Sequence, residues 1–171
     1  MNTARVTKIL FLVLCAVPQL KGQADSVQTR FGELEVSQQR VLMFKGIPVE
    51  PRIQANNRLD IGRPFRIGDS DVALVTDEGG TACPFLYHFV SLRRSGATAT
   101  KAFGTCNELT SVRREGDSII VTMRGYQGPF EPPAERRRAT AEKHSFVFRN
   151  GTVTENPRTA HSRGASDHRK D

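Results

Sequence analysis

A chain of 171 residues, 37% hydrophobic and 25% charged with no tryptophan, is long enough for one packed core. Its formal charge of +7 points to a polyanion binder only until the charges are located. Arg5, Lys8 and Lys21 lie in the first 24 residues, and residues 156–171 hold four more cations against Asp167 and Asp171, so the segment between carries only +2, too little for an overall basic nucleic-acid-binding fold.

The N-terminus, "MNTARVTK" followed by "ILFLVLCAVPQL", has the basic and apolar regions of a secretory signal peptide. Gly22 and Ala24 are the small residues of a cleavage site after residue 24. The run from Ile9 to Leu20, broken by Pro18 and Gln19, falls short of the roughly 20 apolar residues that span a bilayer. Leu14 directly before Cys15 argues against lipid attachment at that cysteine. The expectation is a signal peptide over 1–24, export to the periplasm or beyond, and a single β-rich domain over 25–155. Residues 156–171 have no apolar side chain larger than alanine apart from Pro157 and are expected to form a disordered tail, in which His161 and His168 carry no metal site.

Within the domain, "RVLMFKG" is a short apolar strand ended by glycine, and the prolines of "IPVEPRI" confine that stretch to a sheet edge or an extended connection. "SDVALVTDEGG" gives a buried strand at Val72 to Val75, stopping at an Asp77–Gly80 turn. In "PFLYHFVSLRRSG", Leu86, His88, Val90 and Leu92 share one face while Phe85, Tyr87 and Phe89 share the other, which predicts a central strand covered on both sides. "ATATKAFGTCNEL" reads as loop. "SVRREGDSIIVTMRG" and "HSFVFRNGTVTE" read as hairpins turning at Glu115-Gly116-Asp117 and Asn150-Gly151. Only "EPPAERRRATAEK" suits a short surface helix, with prolines fit for a first turn. Glu135 and Glu142 bracket its arginines with no aromatic residue between, the pattern of a solvated charged face. "RIGDSDVALV" and "REGDSIIVTM" share a turn motif that recurs by convergent turn chemistry. The whole predicts an all-β, mainly antiparallel meander of six to eight short strands, rolled into a small sandwich or barrel, with at most one short helix.

Once the N-terminal segment leaves, Cys83 and Cys106 remain, and an even count in an exported domain is a disulfide framework. Closing that loop stabilises the fold by roughly 3 kcal/mol in the chain-entropy model. Asp69, Asp71, Asp77 and Glu78 are the densest acidic group, but they lack the continuation of a calcium loop and read as turn residues, so no metal site and no cofactor are expected. No nucleophile elbow, zinc-protease, Walker or dinucleotide motif occurs. His88 and His144 would approach one another if their strands were neighbours, and either, with Asp69, Asp71 or Asp77, is the candidate acid–base group of a small envelope hydrolase. The candidate binding loop is "RGYQGPFEPP", where Tyr126, Gln127 and Phe130 stand among glycines and prolines; the two rings either present an aromatic surface or fold back over the core.

The signal peptide together with "FRIGDSDVALV", "GGTACP", "FGTC" and "GPFEP" resembles small exported proteins of Gram-negative bacteria. The resemblance implies a periplasmic β domain with a disulfide and carries over no functional residue. The function expected is a binding or inhibitory module without a catalytic site, presenting loops to a protein or cell-wall partner, with the hydrolase as the alternative. Neither nucleic acid nor a membrane span enters that reading.

Overall fold

The computed structural model describes residues 25–156; the expected signal peptide and residues 157–171 of the expected tail lie outside them. Among the described residues the chain forms three antiparallel sheets and one helix. The first sheet is a meander of β1 (Ser26–Thr29), β2 (Gly32–Val36), β3 (Leu42–Phe44) and β4 (Ile47–Pro48). The second contains β5 (Arg58–Ile61), β6 (Phe65–Ile67), β7 (Ser70–Glu78), β8 (Phe85–Arg93), β9 (Gly96–Ala99) and β10 (Phe103–Cys106). The third is a meander of β11 (Leu109–Glu115), β12 (Ser118–Arg124), β13 (Lys143–Arg149) and β14 (Thr152–Asn156), with α1 (Pro133–Ala141) between β12 and β13.

The pair β7 and β8 is the axis of the second sheet, in register from Asp71 opposite Leu92 to Glu78 opposite Phe85. Each long strand shares its outer edge between two short ones: β6 and β5 pair with successive halves of β7, and β9 and β10 with successive halves of β8. Because side chains alternate along a strand, the pair offers apolar groups to both sides. Ala73, Val75, Val90 and Leu92 pack with Leu34, Leu42 and Phe44 of the first sheet. Val72, Leu74, Tyr87 and Phe89 pack with Ile119, Val121, Met123, Phe146 and Phe148 of the third. The result is a layered sandwich in which the second sheet is central, as the alternation in "PFLYHFV" predicts, and not a closed barrel.

An aromatic cluster joins the central and third sheets. The Phe89 ring lies 4.6 Å from Phe148 and 5.3 Å from Phe103, centroid to centroid, and Phe103 lies 5.4 Å from Phe146. Each such pair contributes about 0.5–1.5 kcal/mol beyond the area it buries. On the opposite face, Arg30 in the β1–β2 turn clamps the first sheet to the central one. Its backbone N–H and its Nε donate to the two oxygens of the buried Asp71 at 2.8 and 2.7 Å, and a terminal nitrogen donates to the Ser70 carbonyl at 2.8 Å. The disulfide joins Cys83, in the β7–β8 turn, to Cys106 at the end of β10.

Four readings of the sequence change. Asp77 and Glu78 are the last residues of β7 and pair with Leu59 and Arg58, so the turn begins at Gly79. "ATATKAFGTCNEL" contains β9 and β10, whose short polar side chains hide strands that depend on pairing to β8. β1 and β2 were also not expected, since Val27, Leu34 and Val36 are their only aliphatic side chains amid polar ones. Asn156 pairs with Ser145 and belongs to β14, not to the tail. The hairpin expected at Glu115-Gly116-Asp117 turns at Gly116-Asp117, Glu115 being the last residue of β11; the hairpin at Asn150-Gly151, the edge position of Pro48 and the helix within "EPPAERRRATAEK" are as expected.

Phe89→Ala leaves a cavity where the rings of two sheets meet, and it is expected to cost about 3–5 kcal/mol of unfolding free energy, read as a shift of the urea midpoint at unchanged slope.

Candidate functional site

Hairpin turns from two sheets meet at one end of the sandwich and enclose a cleft of about 610 Å³. The β6–β7 turn contributes Gly68 and Asp69, the β8–β9 turn Ser95, the β11–β12 turn Asp117, and the β13–β14 turn Asn150 and Gly151. Phe148 and Ile67 reach this cleft from the aromatic core. Arg93 sets a guanidinium nitrogen 3.6 Å from Asp69 Oδ1, and both side chains are largely exposed. Charge of both signs, hydroxyls and an amide over an apolar floor make a surface with hydrogen-bonding capacity in several directions.

The acidic group read from the sequence does not converge. Asp69 is in this cleft and Asp71 is held by Arg30. Asp77 and Glu78, adjacent on a strand, point to opposite faces of the central sheet. Among the described residues no group of three or more histidine, cysteine or acidic side chains is placed to hold a metal ion.

The two histidines are likewise apart, on strands of different sheets. His88 is on the face of β8 shared with Val75 and Asp77, toward the first sheet, and its Nδ1 lies 3.1 Å from the Thr100 carbonyl. Burial raises the Asp77 carboxyl from its ordinary 3.8, against a smaller opposing pull from His88. His144 lies opposite Met123 in the third sheet, with Nδ1 2.7 Å from Glu155 Oε1 and Nε2 3.7 Å from Glu142 Oε2. Its carboxylate neighbours are therefore not the aspartates the sequence singled out. Glu155 gave no signal there because it comes eleven residues later, across a hairpin.

In the candidate binding loop the rings part company. Tyr126 folds back and donates its hydroxyl to the Thr81 carbonyl at 2.8 Å, tying the loop to the turn that carries Cys83. Phe130 stands 95% exposed, and Gln127 is also exposed. Tyr87 is structural: its buried hydroxyl donates to the Asn107 carbonyl at 3.0 Å, and desolvation with the charge of Glu108 pushes it up to about 12.

One polar cluster was missed by sequence reasoning. Asp60 on β5 is 1% exposed, and it shares the face of Arg58, Thr76 and Glu78. Arg58 approaches Asp60 Oδ1 at 2.6 Å, yet neither carboxylate oxygen has an aligned hydrogen bond. A carboxylate only accepts, so Asp60 and Glu78 bond to each other only when one carries a proton. Desolvation raises the Glu78 carboxyl above its ordinary 4.5; the hydrogen bond its protonated form can give Asp60 and the negative charge of Asp60 add to the shift, and the Arg58 charge opposes it. "RLD" in a polar context offers no sign of this, because the burial comes from strand pairing.

No protein-family model, curated protein or solved structure matches the chain.

A carboxyl raised in the folded state holds its proton more tightly there than in the unfolded chain, so stability falls as pH rises from about 4.5 through the raised value. Glu78→Gln removes that fall. The variant is expected to match the wild type near pH 4 and to exceed its urea midpoint near pH 7, in parallel denaturation series.

Proposed function

We propose that the protein is an exported, periplasmic binding or inhibitory module without a catalytic site, which holds a protein or cell-wall partner at the cleft between its hairpin turns. The observation that carries this reading is the convergence of turns from two sheets on one cleft. Turns fixed at both ends by sheet pairing lose little further entropy on binding, and the mixed charge of Asp69, Asp117 and Arg93 suits selection among partners by charge pattern. The basic N-terminus and its apolar run, with two cysteines paired in the domain, support export to an oxidising compartment.

The test is affinity capture from envelope extract with tagged protein. A stoichiometric partner is expected, lost with the charge reversals Asp69→Arg and Asp117→Arg while the melting temperature holds. Capture of nothing, or of a partner that survives both reversals, overturns the assignment of the cleft.

A hydrolytic reading has one observation in its favour, the 2.7 Å contact between His144 and Glu155, which orients an imidazole as a general base requires. On that reading His144→Ala abolishes hydrolysis of envelope glycans or peptides, and Glu155→Gln lowers it, with neither variant losing the partner captured at the cleft.

A further inference from the structure

The end of the third sheet away from the cleft carries a surface of different chemistry. β12 runs from the Asp117 turn to Arg124, a distance of roughly 20 Å. There α1 turns Pro133, Arg136, Arg137 and Thr140 to one side, at helical spacings of three and four residues. That side and Arg124 form a groove of about 680 Å³. Glu135 is not among its residues, and Glu142 lies toward His144. The Arg124 guanidinium has a 3.4 Å hydrogen bond to the Ala141 carbonyl, and among the described residues no carboxylate pairs with Arg124, Arg136 or Arg137. Lys143 is directly opposite Arg124 in the β12–β13 register. Like charges facing each other across a strand pair cost stability, and an anion on that face offsets the cost.

An exposed apolar side chain lies a few residues before the groove in sequence. Phe130 precedes Pro133 by three residues, which puts its Cα within about 11 Å of the groove's edge. At 95% exposure its ring contributes almost nothing to either core. An exposed aromatic beside clustered arginines is the composition of a segment that lies at a membrane interface, the ring at headgroup depth and the cations on lipid phosphates.

We propose that Arg124, Arg136, Arg137 and Lys143, with Phe130 beside them, dock the protein peripherally on a bilayer surface rich in anionic phospholipid headgroups. The guanidinium groups donate charge-assisted hydrogen bonds to phosphate oxygens, and Phe130 enters the interfacial layer. A soluble phosphate would satisfy the arginines but leave Phe130 in water, which is why the lipid is the favoured source. The site shares no residue with the turn cleft, so either stands if the other fails.

The chain has no tryptophan, so Phe130→Trp in the full-length protein gives a single local reporter that an insertion elsewhere in the chain does not mimic. Its emission is expected to shift to the blue, and to be quenched by brominated acyl chains, with vesicles containing phosphatidylglycerol but not with pure phosphatidylcholine. Adding Arg124→Gln, Arg136→Gln and Arg137→Gln should weaken that response about 100-fold, at about fivefold per cation, and raised salt should weaken it in the unsubstituted reporter. If circular dichroism finds the quadruple variant unfolded, Arg136→Gln and Arg137→Gln on the exposed helix suffice for the comparison. Emission unmoved by anionic vesicles overturns the proposal, as does an equal response to both vesicle types or one that survives loss of the arginines. A melting temperature raised by inorganic polyphosphate, with no vesicle response, would assign the groove to soluble phosphate instead.

Discussion

The pairing of β7 with β8 is the constraint on which the other layers depend. Nine residues on each strand, eight of them paired in register and apolar toward both sides, cannot form an outer layer without leaving one face in water. At about 25 cal/mol per Å² of apolar surface, covering that face contributes to offsetting the entropy of ordering a further sheet. The first sheet covers Ala73, Val75, Val90 and Leu92, and the third covers Val72, Leu74, Tyr87 and Phe89. The cross-links follow the same logic: Arg30 reaches Asp71 across one interface, and the rings of Phe89, Phe103, Phe146 and Phe148 lock the other.

A structure filled this way has little room for chemistry in its middle, so polar groups collect at strand ends. The described molecule is accordingly different at the two ends of its third sheet: turns with charge of both signs at one, and the arginines of β12 and α1 at the other. Asp60 and Asp71 are carboxylates buried on the central sheet; Arg30 satisfies Asp71 with hydrogen bonds, while Asp60 lacks aligned ones. Its placement beside Arg58 and Glu78 is not stabilising in itself, because an ion pair that leaves both oxygens without aligned hydrogen bonds recovers only part of the desolvation cost.

How much of this was legible in the sequence depended on where the information lies. Phe85 to Leu92 announce a strand covered on both faces because alternation is local, and Asn150-Gly151 announces a hairpin because a two-residue turn dictates its own chemistry. Ala97, Thr98 and Thr105 announce nothing: β9 and β10 exist because β8 offers them an edge. The candidate site follows the same division. Cys83 and Cys106 were found by counting, and the exposure of Phe130 was one of two readings that proline-rich flanks left open. The contact of His144 with Glu155, the burial of Asp60, and the groove between Arg124 and α1 are all products of tertiary pairing that no window of sequence contains.

The repeated "R-x-G-D-S" motif illustrates how far turn chemistry explains a sequence and where it stops. In both copies the hairpin closes around two residues, Ile67 opposite Ser70 and Glu115 opposite Ser118. Gly68 and Gly116 have φ of 53° and 56°, a conformation that penalises any side chain, so the turn itself demands the glycine. It makes no comparable demand for aspartate, since neither Asp69 nor Asp117 has a positive φ and several short polar residues suit that position. Yet both aspartates, from hairpins in different sheets, line the same cleft. Convergent turn chemistry accounts for the glycines; the proposed binding role gives the two carboxylates that follow them a common place to act, at that cleft.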